Sequence, residues 1–378
     1  MKKLLILGTG SYKGTLSIRL RDLARHLGKD FDVTAMTPPA DKYNDFKPDY
    51  SIKPEGYNLV QPWQLATRSP IINLVPYLFT SLFHILKSRA DIVYIYKPTP
   101  ITILGLVPRL WGRRIVMDMD DLGSEVMQLE GQSGLNVKLV ALSERLAMRF
   151  AHQIVVTSTL LESEVKAQYP RKPILVLPNG VEPSDYAKVT EKPLRNAAYF
   201  FGGINRLDIV EDLLRAIPVV VKQVPDAHFT IAGGGSALGD AKKLVSKLGV
   251  KKSVTFTGWL TDMHAIQQHT QFGDIGICYQ PDGRTNRAAS NMKVFQYMAM
   301  GTVPVVSNVG DLRTYVRSGK AGVVVAPGDS TKLAEAITAL LLDTKRRTDL
   351  AREASKLAAK AHSWQQRARD LRKFIGEA

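Results

Sequence analysis

Residues 290–306 read SNMKVFQYMAMGTVPVV. Met292, Val294, Phe295 and Met298 give a short apolar helix that carries a polar pair, Lys293 and Gln296, near its start. Gly301 stops the helix, and Val303–Val306 follows as a β-branched run with no polar residue to face water. A helix that ends on glycine and feeds a buried strand is one unit of a parallel α/β sheet. Its N-terminal turn points free N–H groups, and a lysine, at whatever lies beyond the strand ends.

The pattern extends in both directions. KKLLILG, DVTAMTP, ADIVYIY, RRIVMDM, HQIVVTS and PILVLPN read as strands. Helical segments separate them, among them LSIRLRDLARHLG with Leu16, Leu20, Leu23, Ala24 and Leu27 on one face. The alternation then restarts with NAAYFFGG, AHFTIAGGG, SVTFTG, DIGICY, the opening stretch and AGVVVAP. The polar seam between the two runs, GVEPSDYAKVTEKP, contains two prolines. The fold class is therefore α/β with two Rossmann-like domains, residues 1–185 and 186–360. A terminal helix, interrupted near His362–Trp364, leaves residues 361–378 as a third piece. A chain of 378 residues suits two domains of this size.

Composition narrows the function classes. The single cysteine, Cys278, excludes an internal disulfide framework and a cysteine-based zinc site, and its strand setting reads as a buried structural thiol. The apolar start, MKKLLILG, breaks at Gly8 without a cleavage site, and no run of 18 apolar residues occurs, so the sequence reads as cytoplasmic. The formal charge of +16 calls for anionic partners. Residues 1–180 hold 23 Lys/Arg against 16 Asp/Glu, and the remainder 28 against 19, so the excess is spread over both halves. No nucleic-acid motif or aromatic–basic strand pattern accompanies it.

The motifs ILVLPNGVEPSDY, TIAGGGS, SVTFTGWL, DIGICYQP and KVFQYMAMGTVPVVSNVGDLRTYVRSGKAGVVVAPGDSTKLAEAI occur in one order at regular spacing. Together they resemble the family 4 glycosyltransferases, retaining enzymes with two facing Rossmann domains (the GT-B fold). The resemblance implies that a sugar moves from a nucleotide diphosphate sugar to an acceptor hydroxyl, with no metal and no cofactor. It also implies that residues 361–378 pack back on the first domain. It implies a donor site at Gly203, Arg206, Ser290, Asn291, Met292, Lys293 and Gln296. Lys293 and Arg206 would face the diphosphate and Gln296 the ribose, approached from the other domain by Gly14 and Thr15 of the loop GTGSYKGTL. The family's paired glutamates read here Ala288 and Gln296, and its common His-Asp pair reads Asp120-Asp121. Asp120 is expected at the acceptor or sugar, with helix capping and a metal site as weaker readings of the same acids. A nucleotide-sugar epimerase of the same fold and a non-catalytic binding protein are the alternative functions.

One segment carries a further expectation. IINLVPYLFTSLFHILKSRADIVYIYKPTPITILGLVPRLWGRR combines an apolar helix with Lys87, Arg89, Lys97, Arg109, Arg113 and Arg114 against Asp91 alone in residues 81–114. It reads either as a helix packed on the sheet through Leu74, Leu78, Leu82 and Leu86, or as a peripheral contact with an anionic membrane surface. A lipid-linked acceptor follows from the second reading.

Overall fold

Burial of continuous apolar runs builds both sheets. The computed structural model describes the chain apart from residues 11, 13–17, 40–49, 64–69, 187–195, 261–273 and 377–378, and apart from the side chains of 70–74. It divides into two units, residues 1–178 with 364–378, and residues 179–363. The sequence boundary at 185/186 is thus placed at Pro178/Asn179, and the last helix belongs to the first unit.

In the first unit β1 (Lys3–Leu7), α1 (Ile18–Leu27), β2 (Asp32–Met36), β3 (Asn58–Val60), α2 (Pro70–Ser88), β4 (Ile92–Tyr96) and β5 (Arg114–Met119) are followed by α3 (Gly123–Leu129), α4 (Leu135–Phe150), β6 (Gln153–Val156), α5 (Thr159–Gln168) and β7 (Ile174–Val176). All pairings are parallel, in the order β3-β2-β1-β4-β5-β6-β7. The order reverses beside β1, with Leu5 opposite both Thr34 and Val93. A ligand crevice belongs at such a switch point, outside the strands' C-terminal ends. Every residue of β4 is buried, as a strand covered on both faces requires. Leu20, Leu23, Ala24 and Leu27 of α1 cover one sheet face together with Trp364, Ala368, Leu371 and Ile375.

The second unit runs β8 (Ala197–Phe201), α6 (Glu211–Gln223), β9 (His228–Ala232), α7 (Leu238–Lys247), β10 (Val254–Gly258), β11 (Ile275–Cys278), α8 (Arg284–Ala288), α9 (Met292–Ala299), β12 (Val303–Ser307), α10 (Leu312–Tyr315) and β13 (Val323–Val325). Its sheet is parallel throughout, in the order β10-β9-β8-β11-β12-β13. Its switch point lies between β8 and β11. Cys278 is fully buried in β11, where burial pushes its thiol up to about 11, far from a reactive thiolate.

The expected terminal helix breaks twice, into α11 (Ser330–Leu342), α12 (Thr344–Lys360) and α13 (Trp364–Gly376). At the first break Asp343 leaves the helix and its carboxylate caps the next, accepting the Arg346 N–H at 2.9 Å. The last carbonyls of α13 are satisfied within its own unit, Ile375 by Arg114 Nη1 and Phe374 by Gln153 Nε2, both at 2.7 Å.

Tyr297 of α9 lies flat against Gly276 of β11, so that a Cβ on Gly276 would sit 2.3 Å from the ring. The phenol is tied in place, donating to the Ile277 carbonyl and accepting the Phe201 N–H, each at 3.3 Å. We expect Gly276→Ala to destabilise the second unit by about 1–3 kcal/mol through overpacking. Urea denaturation checks this; an unchanged midpoint would show that the ring has room to withdraw.

Candidate functional site

The start of α9 is built by the loop that precedes it. Asn291 takes an extended conformation (φ −71°, ψ 101°), and its own side chain does not cap the helix. The helix therefore begins at Met292. Ser290 is buried, and its hydroxyl accepts the Asn179 N–H at 2.9 Å and the Tyr315 O–H at 3.2 Å. Asn179 Nδ2 in turn donates to the Ser290 carbonyl at 2.8 Å. Ser290 thus fastens the Asn179–Gly180 loop to the helix start. Asn291 Oδ1 accepts from Gln280 Nε2 at 2.7 Å, and its buried Nδ2 meets no acceptor among the described residues. The first-turn N–H groups of an uncapped helix are free to take an anion.

Lys293 lies in that first turn. Its Nζ is 4.5 Å from the centroid of the Phe200 ring and 2.7 Å from where a Gly202 Cβ would be. Among the described residues no carboxylate pairs with it. Burial lowers its pKa below that of an ordinary lysine, with only Cys278 acting weakly the other way. A partly buried ammonium without a counter-ion, over an aromatic face, is prepared for an anionic ligand.

The glycines at the ends of β8 and β9 keep this place open. Gly202 has φ +148°, and its N–H donates to the Ala232 carbonyl at 3.0 Å. Gly233, with φ +153°, sits so close that a Cβ would be 1.9 Å from the Gly202 carbonyl oxygen. Only glycine permits that approach. Trp259, 57% exposed after β10, lies over Gly234, where a Cβ would be 2.5 Å from its Cδ1. The same indole is 3.9 Å from the Cβ position of Gly203.

One expected residue already has a charged partner. The Arg206 guanidinium forms a two-point ion pair with Asp208, its Nε at 3.1 Å from Oδ1, so its charge is already matched. Asp208 is only two residues away, and a sequence position does not show which way an arginine turns. Gln296 is buried at 5% exposure, one turn beyond Lys293 on the same helix. Met292 opens the helix, and Gly203 lies two residues beyond the end of β8.

The first unit gathers a separate polar cluster at the ends of β4 and β5. Lys97 Nζ lies 2.7 Å from Asp121 Oδ2 and 3.3 Å from Asp120 Oδ2, while the Tyr96 phenol donates to Asp120 at 3.0 Å. Burial alone would raise the Asp120 carboxyl. The positive charges of Lys97 and Arg19, with the hydrogen bonds, outweigh it and hold Asp120 below the usual carboxylate range. Lys97 in turn is held well above its ordinary value, because the two aspartates more than offset its burial. Its backbone is left-handed (φ +55°), fixed by its N–H to the Asp118 carbonyl at 3.1 Å and by the Thr102 hydroxyl to its own carbonyl at 2.9 Å. Behind Lys97 and Asp120 Arg19 and Asp118 form a fully buried ion pair at 2.7 Å, to which Tyr94 adds a hydrogen bond at 2.5 Å. Asp120 is therefore a preorganised carboxylate. Lys97 and Tyr96 were not legible as partners of Asp120, although Lys97 stands at a strand end before a proline. Gly14 and Thr15 lie outside the described residues.

Residues 14–180 match the family model described as a glycosyl transferase 4-like domain, and residues 195–343 match that of glycosyl transferases group 1. The two matches fall on the two Rossmann-like units in turn. The chain belongs to the GT-B glycosyltransferases. An uncharacterized glycosyltransferase of Methanocaldococcus jannaschii is 23% identical over 258 residues, 64% of this chain and 64% of its own length. The match thus spans less than two thirds of that relative. Among solved structures, sucrose-phosphate synthase from Thermosynechococcus elongatus superposes with a TM-score of 0.77 at 18% identity, covering 100% of this chain and 99% of that one. Anabaena HepE, solved with UDP and glucose, gives 0.70 at 18% identity over 100% of both chains. These likenesses extend the GT-B fold over the whole chain.

Proposed function

We propose that this GT-B chain transfers a sugar, with retention of anomeric configuration, from a nucleotide diphosphate sugar to an acceptor hydroxyl. The observation that carries the reading is Lys293, a partly buried ammonium with no carboxylate partner among the described residues, at the open N-terminus of α9. A departing nucleoside diphosphate develops negative charge there, and a preorganised cation with free N–H groups stabilises it without a metal or cofactor. The Gly202 and Gly233 backbones leave room for the phosphates, and the exposed face of Trp259 offers a stacking surface for the base. Gln296 supplies an amide for ribose hydroxyls. In the first unit Asp120, ionised and held by Tyr96 and Lys97, is the group suited to an acceptor or sugar hydroxyl.

The acceptor side of the reading places the protein in the cytoplasm, at the inner face of a membrane, acting on a lipid-linked or cell-surface glycan precursor. The +16 charge supports this, and no helix among the described residues is long and apolar enough to cross a membrane.

Calorimetric titration of the full chain with UDP, GDP and ADP tests the donor site and identifies the base. Micromolar binding of one nucleotide is expected. Turnover of the matching nucleotide sugar in the presence of EDTA, with the product anomer read by NMR, tests retention and metal independence. No binding by any of the three would overturn the reading in favour of a non-catalytic protein.

A further inference from the structure

Three neighbouring elements on one side of the first unit's sheet turn apolar side chains outward. In α2, Tyr77, Ser81 and Ile85 point inward and are buried, whereas Val75, Phe79, Phe83 and Leu86 are 58%, 72%, 59% and 45% exposed. The spacing of that exposed set, at i, i+4, i+8 and i+11, makes it a continuous stripe along the helix. Beside α2 runs a 3-10 helix, Thr102–Trp111. Its Gly105 lies against Leu7 and Ile95 of the sheet, while its end leaves Leu110 81% and Trp111 61% exposed. Gly112, at φ +72°, turns the chain there, and nothing lies within 4 Å of its Cβ position. On the far side of the 3-10 helix, α4 exposes Leu135, Leu139, Leu142 and Phe150.

The exposed charges carried by these three elements have one sign. Lys87, Arg89, Arg109, Lys138, Arg145 and Arg149 are exposed among these apolar residues. Neither α2 nor the 3-10 helix contains an acidic residue, and the one acid of α4, Glu144, is turned in and bonded to Ser124. The basic heads stay beside the aromatic rings: Lys87 Nζ is 5.7 Å from the Phe83 centroid, and Arg149 Cζ is 5.9 Å from that of Phe150.

We propose that this surface docks on an anionic lipid bilayer. Phe79, Phe83, Leu110 and Trp111 enter the boundary between headgroups and acyl chains, and Lys87, Arg109 and Arg149 meet the lipid phosphates. An outward apolar stripe interleaved with cations is what such an interface selects, and tryptophan suits its depth. A second copy of the chain fits poorly, because a two-fold contact would set this basic surface against itself. A nucleic acid would leave the aliphatic side chains without apolar contact. The inference deepens the acceptor side of the proposed function; donor binding, in the other unit, does not depend on it.

Co-sedimentation of the full chain with vesicles of phosphatidylcholine, alone or mixed with phosphatidylglycerol, tests the docking. Binding to the mixed vesicles is expected to be about tenfold or more tighter and to weaken with salt. Leu110→Ser/Trp111→Ser should lose about tenfold or more of the binding to mixed vesicles, and Arg109→Glu/Arg149→Glu should abolish the preference for the anionic lipid. All four residues are exposed, so both variants should keep the parent's melting temperature and nucleotide affinity. Equal binding of parent and variants, or no binding of the parent while it still binds nucleotide, would overturn the docking surface and leave the donor site standing. A concentration-dependent dimer in the ultracentrifuge, abolished by Leu110→Ser/Trp111→Ser, would overturn it in favour of self-association.

Discussion

Replacing Arg19 by methionine is expected to cost the first unit about 3–5 kcal/mol, because it leaves the Asp118 carboxylate buried without its counter-ion. Both side chains are fully buried, and Asp118 accepts two guanidinium hydrogen bonds, at 2.7 and 3.1 Å, besides that of Tyr94. Burial opposes the Arg19 charge, yet the nearby carboxylate more than offsets it and holds the guanidinium above its ordinary value. The double variant Arg19→Met/Asp118→Asn should recover part of the loss, since no bare charge remains. Dependence on pH separates charge from lost volume. In Arg19→Met, burial keeps the Asp118 pKa raised, so the folded state holds a proton that the unfolded chain has released. Stability then falls as pH rises through that window, and the deficit should be smaller in acid than at neutrality. Urea titrations at both pH values measure it. A pH-independent deficit would mean that the variant loses packing alone.

The fold was largely legible because each central strand is a continuous apolar run that water cannot be allowed to reach, as Val303–Val306 and Ile92–Tyr96 illustrate. What escaped was set by contacts that the local sequence pattern does not show. Ser290 is a good capping residue, yet Asn179, more than a hundred positions earlier, claims its hydroxyl, and the helix starts at Met292. Arg206 was selected by its proximity to the glycines, but Asp208 neutralises it. Lys97 owes its place to a left-handed backbone that Thr102 and the Asp118 carbonyl impose, which no local pattern announces. ITILGLVPRLW lacks helical periodicity around Gly105 and Pro108 and forms a 3-10 helix instead, and that geometry leaves Leu110 and Trp111 outside. The apolar residues of the 70–90 segment divide between the sheet and the outside: Ile85 is buried and Leu86 exposed, with Leu78 and Leu82 in between.

Lys293→Met should reduce kcat by about 10²–10³, the scale of losing one preorganised stabiliser of developing charge. Nucleoside diphosphate affinity should fall about tenfold or more, or at least ~1.4 kcal/mol. Methionine keeps the length and apolar contacts of the lysine stem, so the comparison isolates the ammonium. Its effect on the unliganded protein should run the other way. The ammonium is partly buried over Phe200 with no carboxylate partner among the described residues, a desolvation cost that methionine removes. The variant should therefore melt at the parent's temperature or above it while binding nucleotide less well, a separation that general misfolding cannot produce. The pH profile gives an independent check. Because burial lowers the lysine pKa, parental affinity should decline with rising pH earlier than for an ordinary lysine, as the ammonium loses its proton. Lys293→Met, with nothing to titrate at this position, should lack that decline. If both proteins bind nucleotide equally and share one alkaline limb, the diphosphate does not rest on Lys293. If the variant binds weakly but also melts early, the lysine is a packing residue and the ligand reading of α9 fails. Only weaker binding at undiminished stability fits an ammonium held in the fold for a ligand's charge.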